Sequence, residues 1–462
     1  MFGLKDGLNL VDRFKSGESA PARPPGPRGW QNLKVLVDFA TDQIGCFRRI
    51  TRRYGSASFF KLGTFDAYLF TDPEAIEEVL LTKSSSFEKD ALTHELDVLL
   101  GKGLLTSEGQ MWRHQRRLIS PNLRRKQIAH YADVMVERTR QMLDDWEDGQ
   151  VRPLHRDAME VTLRIVVDTL FNLEMDSDIH RVGQALDTAM EGFHEQAHTL
   201  WRFVPEPLPT PMRAKFEKAL EEFDALIYKL IDQRRQDATE GDDLLYRLIA
   251  AVDDEGNQMT DGQLRDEVIT LFLAGHETTA LAIMYAWYLM SDHPWVMDKV
   301  HAEVDEVLGE RVATADDVSE LPYTEAVIQE TMRLYPPAWT IGREAIEDVE
   351  IAGWTVTKGA QVLLPQSLVH RDRRWFDNPD LFRPERWLDG LEDRIPRFAY
   401  FPFGGGPRIC IGNYFAMMEA ILVVATMAQQ VRLENVSRQA LRTQPSVTQR
   451  PATAIEMKVR RR

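Results

Sequence analysis

Cysteine is nearly absent: only Cys46 and Cys410 occur in 462 residues. Two thiols cannot build a disulfide framework, and a reducing compartment suits them. Positive charge is also short, with 56 Lys and Arg against 72 Asp and Glu, a formal net charge of -16. A duplex binder displaces counterions with a basic face, so nucleic acid is not the expected partner. No continuous apolar run marks Met1–Phe14, which excludes a signal peptide or membrane anchor at that end. The most apolar stretch, Val268–Met290, carries His276, Glu277, Thr278 and Thr279 at its middle. Ionisable groups there would be costly in lipid. A core helix is expected, and no integral membrane segment.

With 44% hydrophobic residues the chain can bury a large core. A polar, Pro-rich leader over 1–25 precedes a single expected domain over 26–462. Ser56–Leu62 and Ala67–Phe70 read as strands with Gly63 and Asp66 as the turn. Lys126–Trp146, His155–Leu173 and Met212–Gln236 show apolar residues at three- and four-residue spacing, which predicts helices. Four alternating prolines in Phe203–Pro211 cannot continue a helix and form either a stiff connector or a lid hinge. Short strands are expected at Trp354–Val356 and Gln361–Leu364, and a helix at Asn413–Gln430.

The strongest signal is Phe401-Pro-Phe-Gly-Gly-Gly-Pro-Arg-Ile-Cys-Ile-Gly412. Placing Cys410 just before a helix start aims backbone N–H groups and a positive dipole end at sulfur, which favours the thiolate. Three glycines let backbone approach a flat ligand. Cys46, inside a plain helical pattern, is expected to be an inert buried thiol.

This segment resembles the haem-binding loop of the cytochrome P450 family, matching at Phe403, Gly404, Gly406, Arg408, Cys410 and Gly412. Six fixed positions would agree by chance in about one of 10⁵ chains of this size. Further stretches are similar to the family in the family's order: Trp112-Arg-His-Gln-Arg116, Ala274-Gly-His-Glu-Thr-Thr279, Glu330-Thr-Met-Arg333 and Phe382-Arg-Pro-Glu-Arg-Trp387.

The resemblance implies a mainly α fold with small β-sheets, the cytochrome P450 fold, with haem b (iron protoporphyrin IX) between a long central helix and the helix after the cysteine loop. It implies Cys410 as the axial iron ligand, a thiolate that favours O–O cleavage, with Phe403 and Gly404 beside it. Trp112, Arg116, Arg343 and Arg408 would contact the haem propionates. Glu277 and Thr278 would supply protons where dioxygen is activated. Gly275 weakens its helix, so a bulge or widened turn is expected there. Glu330, Arg333 and Arg386 would form a buried triad that retains haem rather than reacts.

The implied activity is hydroxylation of an apolar small molecule by a monomeric, cytoplasmic monooxygenase. Leu100–Leu105, Leu271–Ala274 and Ala338–Ile341 would line its pocket. Only about fifty residues follow the cysteine motif. Electrons from NAD(P)H are therefore expected to arrive through a separate ferredoxin or flavodoxin-like donor and its reductase. Arg113, Arg117, Arg124, Arg125, Lys126 and Arg397 offer that donor a basic docking patch. A peroxide-driven peroxygenase, a haem-thiolate isomerase and a non-catalytic haem sensor are the alternatives. None of them has a use for the Glu277–Thr278 pair.

Overall fold

The computed structural model describes residues 22–171, 188, 211–236, 243–252, 256, 258–437 and 439–462. The proline-rich stretch 203–210 lies outside these residues. The longer helices are α1 (Gln31–Thr41), α2 (Gln43–Tyr54), α3 (Gly109–Ile119), α4 (Ala132–Asp144) and α5 (Leu154–Phe171). They continue as α6 (Pro211–Gln236), α7 (Asp261–Asp292), α8 (Pro294–Val307), α9 (Pro322–Leu334) and α10 (Asn413–Gln430). The helices expected from periodicity are therefore present, though the first is interrupted: Ala129–Tyr131 tightens into a 3₁₀ turn before α4.

The axis of the molecule is α7. Its start is fixed by a reciprocal cap, in which Gln263 N–H donates to Thr260 Oγ1 at 3.2 Å and Thr260 N–H donates to Gln263 Oε1 at 2.9 Å. The helix has the length and composition of a membrane span, but 83% of its most apolar window is buried inside the protein. Helices α5, α6, α8, α9 and α10 all pack on it or on one another. Phe171 of α5 stacks on Phe272 of α7 at 4.5 Å between centroids.

Beside this bundle lies a five-stranded sheet of order β1-β2-β8-β5-β3, with β1 (Ala57–Leu62), β2 (Phe65–Phe70), β3 (Phe87–Glu88), β5 (Ile341–Ala345) and β8 (Gln361–Leu364). The β1–β2 hairpin pairs Leu62 with Phe65, so Gly63 (φ +62°) and Thr64 make the turn and Asp66 belongs to β2. Strand β4 (Val151–Pro153) pairs with β12 (Glu456–Arg461), which pairs with β9 (Val431–Asn435). Two hairpins complete the β structure, β6–β7 (Val349–Ile351, Trp354–Val356) and β10–β11 (Thr443–Pro445, Gln449–Pro451).

Candidate active site

Between Glu267 and Trp287, α7 is buried at every position except three: Ala274 is exposed, and Gly275 and Thr278 are half-buried. These small residues open one face of a helix otherwise sealed by apolar neighbours. Helix α7 runs through this stretch without interruption, so the expected bulge is absent. Side chains instead engage its carbonyls. His276 Nδ1 lies 2.6 Å from Phe272 O, while Thr278 and Thr279 hydroxyls donate to Ala274 O at 2.8 Å and Gly275 O at 3.2 Å. Thr162 of α5 donates to His276 O at 3.0 Å. Local hydroxyl bonds of this kind satisfy the turn without breaking the ladder.

Cys410 is exposed, unlike Cys46. The loop before it folds tightly: Gly404 sits at φ +72°, and a Cβ on Gly406 (φ +65°) would lie 1.7 Å from Leu80 O. Cys410 N–H donates to Phe403 O at 2.9 Å, which curls the loop around the sulfur. Protein crowds the thiol on the sides away from its opening, and this desolvation pushes its pKa up. The Gly412 N–H and the charges of Arg116 and Lys89 pull the other way. Cys46, buried beneath α1, is pushed up to about 12 by burial and by Asp38.

A cluster of cations surrounds this opening. Arg408 lies over the Trp112 ring at 4.1 Å, donates to Ser107 O at 2.8 Å and pairs with Glu108, yet its Nη1 is buried without a partner. Arg343 on β5 is buried, and its Nη1 donates to its neighbour Gly342 O at 2.7 Å. Burial, then Arg343 and Arg408, pull the Lys89 ammonium down to about 7. Burial and Arg408, against Asp90, likewise bring Arg343 down to about 10. Lys89 carries no motif and was not foreseen; it stands in Phe87-Glu-Lys-Asp90 beside a two-residue strand.

These features fit a haem. The sulfur supplies a soft iron ligand, and two propionates would offer acceptors to the mutually repelling cations and to the Arg408 Nη1 that Glu108 leaves unbonded. Loop 101–108 ties the two sides together, since Leu104 N–H donates to Glu267 Oε2 of α7 at 3.0 Å and Ser107 O receives Arg408.

Two expected site residues make further bonds. Arg116 is half-buried, with its guanidinium 5.8 Å from the Trp112 ring, but its Nη1 donates to Ile409 O at 2.9 Å, next to the cysteine. It braces the loop and lends its charge to sulfur, and it also bears on Arg408, whose guanidinium shares the Trp112 ring. Glu277 is 1% exposed and turned away from Thr278, because consecutive helical positions diverge by about 100°. Its Oε1 accepts from Arg450 Nε at 2.6 Å and from the Thr448 hydroxyl. Burial alone would raise its pKa, but Arg450, Thr448 and His276 outweigh burial and hold the carboxyl below its ordinary value. As placed, Glu277 is an ionised partner of the β11 strand, with its Oε2 buried and unbonded.

Glu330 and Arg333 on α9 and Arg386 meet as expected, all of them buried. Arg333 is bidentate on Glu330 at 2.8 Å for both bonds, and Arg386 Nε adds 3.0 Å. Trp387 Nε1 at 3.0 Å and the Arg383 N–H at 2.9 Å complete five donors on one carboxylate. Arg333 also donates to the carbonyls of His370, Pro379 and Leu381, so the triad sews the segment before Arg386 to α9.

Residues 24–456 match the family model described as Cytochrome P450. The chain is 34% identical over 398 residues to the cyclooctatin synthase of Streptomyces melanosporofaciens, covering 86% of each. It is 34% identical over 385 residues to the cyclooctat-9-en-7-ol 5-monooxygenase of the same organism, covering 83% of each. With the pentalenene oxygenase of Streptomyces avermitilis it shares 31% over 425 residues, which is 91% of this chain and 92% of that one. Family, fold and cysteine loop agree: the chain belongs to the cytochrome P450 family and is a haem-thiolate monooxygenase fed by redox partners.

Proposed function

We propose that the chain hydroxylates a cyclic, largely hydrocarbon small molecule, with Cys410 as the thiolate that holds haem. The observation that carries this reading is the accessible Cys410 beside three mutually repelling cations, Lys89, Arg343 and Arg408, of which Arg408, though paired with Glu108, keeps a buried Nη1 without a partner. When bound, haem supplies the electron-accepting and oxygen-activating centre.

The remaining work belongs to the chain. Gly412 N–H and the Arg116 guanidinium stabilise negative charge on Cys410. Lys89, Arg343 and Arg408 neutralise propionates, with Trp112 beneath Arg408. Phe403 and Gly404 shape the sulfur loop. Thr278 holds a proton at Oγ1 on the open face of α7, where Ala274 leaves room for substrate. Leu100, Leu104 and Leu271 are buried and offer apolar cover that excludes water.

The substrate class rests on the relatives named for pentalenene and cyclooctat-9-en-7-ol. Electrons would come from a ferredoxin or flavodoxin-like donor. Its docking patch would be Arg113, Arg117, Arg124, Arg125, Lys126 and Arg397, all exposed. We place the protein in the cytoplasm as a monomer, one unit from residue 26 onward behind its leader.

The test is the carbon monoxide spectrum of the reduced, haem-loaded protein. Wild type is expected to show the red-displaced Soret band of a sulfur ligand, and Cys410→Ser to lose it. A wild-type spectrum without that band would overturn the reading. Titrating pentalenene-like hydrocarbons and their alcohols against the iron spin state then tests the substrate class.

A further inference from the structure

Glu419 lies midway along α10 with 0% exposure, and neither of its carboxyl oxygens has a hydrogen-bond partner in proper geometry. Glu277 has Arg450, and Glu330 has two arginines. Among the described residues no cation bears on Glu419. The polar group that does act on it is the Thr279 hydroxyl of α7, against which α10 packs. An unpaired carboxylate in such surroundings takes up a proton instead of staying charged.

A neutral carboxyl can do what a carboxylate cannot: it donates its O–H. Thr279 has spent its only hydroxyl proton on Gly275 O, over a long 3.2 Å, so its oxygen lone pairs are available to accept. We propose that Glu419 is a protonated carboxylic acid that donates to Thr279 and so positions the Ala274–Thr279 turn of α7. The resulting chain, Glu419 to Thr279 to Gly275 O, fixes the turn whose neighbouring residues, Ala274 and Thr278, face the opening. Each bond in such a chain polarises the next, so the first donor matters more than its distance from the opening suggests. Glu419 is a positioning residue; it reaches the site only through α7.

The proposal rests on the reading of Thr278 as the hydroxyl of the open face, and its test separates the two. Infrared spectra of the haem-loaded wild type and Glu419→Gln are compared at neutral pH. A carbonyl stretch of a protonated carboxylic acid is expected in the wild type, shifting in D₂O and lost in Glu419→Gln. Its absence overturns the proposal, whatever the activity. Glu419→Met, unbranched and apolar, is expected to keep the sulfur-ligand carbon monoxide band and to melt no lower than wild type. Its product per reductant should fall severalfold, while Glu419→Gln, still a donor, keeps wild-type coupling. Wild-type coupling in Glu419→Met, or equal uncoupling in both variants, also overturns it. The unchanged carbon monoxide band shows in either case that the haem reading stands.

Discussion

Arg450 on β11 donates to Glu277 Oε1 at 2.6 Å, and with the Thr448 hydroxyl on the same oxygen and the Tyr285 hydroxyl on Gln449 O at 2.8 Å this ion pair ties the hairpin near residue 450 to α7. Removing the guanidinium would leave a carboxylate 1% exposed with only Thr448 against it. Arg450→Ala is expected to cost about 3–5 kcal/mol. Thermal unfolding checks the value and its pH dependence. The folded pKa of Glu277 is depressed, so the pair's contribution is complete above the unfolded value, about 4.3, and is lost as pH falls through the folded value. The gap in Tm between wild type and Arg450→Ala should therefore narrow on acidification. A gap independent of pH would show that the ion pair is not its source.

Thr278→Ala removes the hydroxyl on the open face while leaving Glu277 and Arg450 in place. Reductant consumption should stay near wild type, with most of it diverted to hydrogen peroxide and product falling at least severalfold. Glu277→Gln should behave differently, losing stability first and coupling little, since its carboxyl points elsewhere. Product and peroxide measured per reductant distinguish the two, and equal uncoupling in both would restore Glu277 to the relay.

Glu330→Ala strips five donors of their acceptor and strands two buried guanidinium groups. A loss of about 3–5 kcal/mol is expected, with haem content falling more than total protein because the segment before Arg386 comes loose. The Soret absorbance per mole of purified protein measures it. Glu330→Gln keeps the shape without the charge and should fall between.

Lys89→Met gives opposite signs with and without haem. In the haem-free protein it relieves repulsion from Arg343 and Arg408, so Tm should hold or rise. In the loaded protein it deletes a charged hydrogen bond worth about 1.5–3 kcal/mol. Haem transfer to apomyoglobin should then be about 10- to 100-fold faster. Equal transfer rates would remove Lys89 from the propionate set.

Legibility in the sequence followed the distance over which each feature is encoded. The cysteine loop is contiguous, with glycines forced at Gly404 by its φ of +72° and at Gly406 by Leu80 O, so it could be read directly. Glu330 and Arg333 share a helix turn, and their partner Arg386 was legible only because the Phe382–Trp387 stretch resembled the family. Lys89 follows a two-residue strand and Arg450 lies in a three-residue one, both too short for any period to mark. A single charge in such a strand reads like any solvated one until tertiary structure surrounds it. The bonds that Arg116 and Glu277 make were hidden for a related reason. Helical spacing gives the face a side chain leaves from, but the choice between Ile409 O and a propionate, or between Arg450 and an open face, is made by other parts of the chain.

The cluster at Cys410 draws on residues as far apart as Lys89 and Arg408, and loop 101–108, which receives Arg408, is bonded to α7, itself latched by Arg450. A ribosome adds about 5–20 residues each second, so the first of these groups waits on the order of tens of seconds for the last. No nascent fragment short of the β11 strand can hold the cofactor with its full set of contacts. Haem capture with the full set of contacts must therefore await synthesis of the β11 strand, and until then the Cys410 thiol stands exposed to whatever oxidant or electrophile the cell contains.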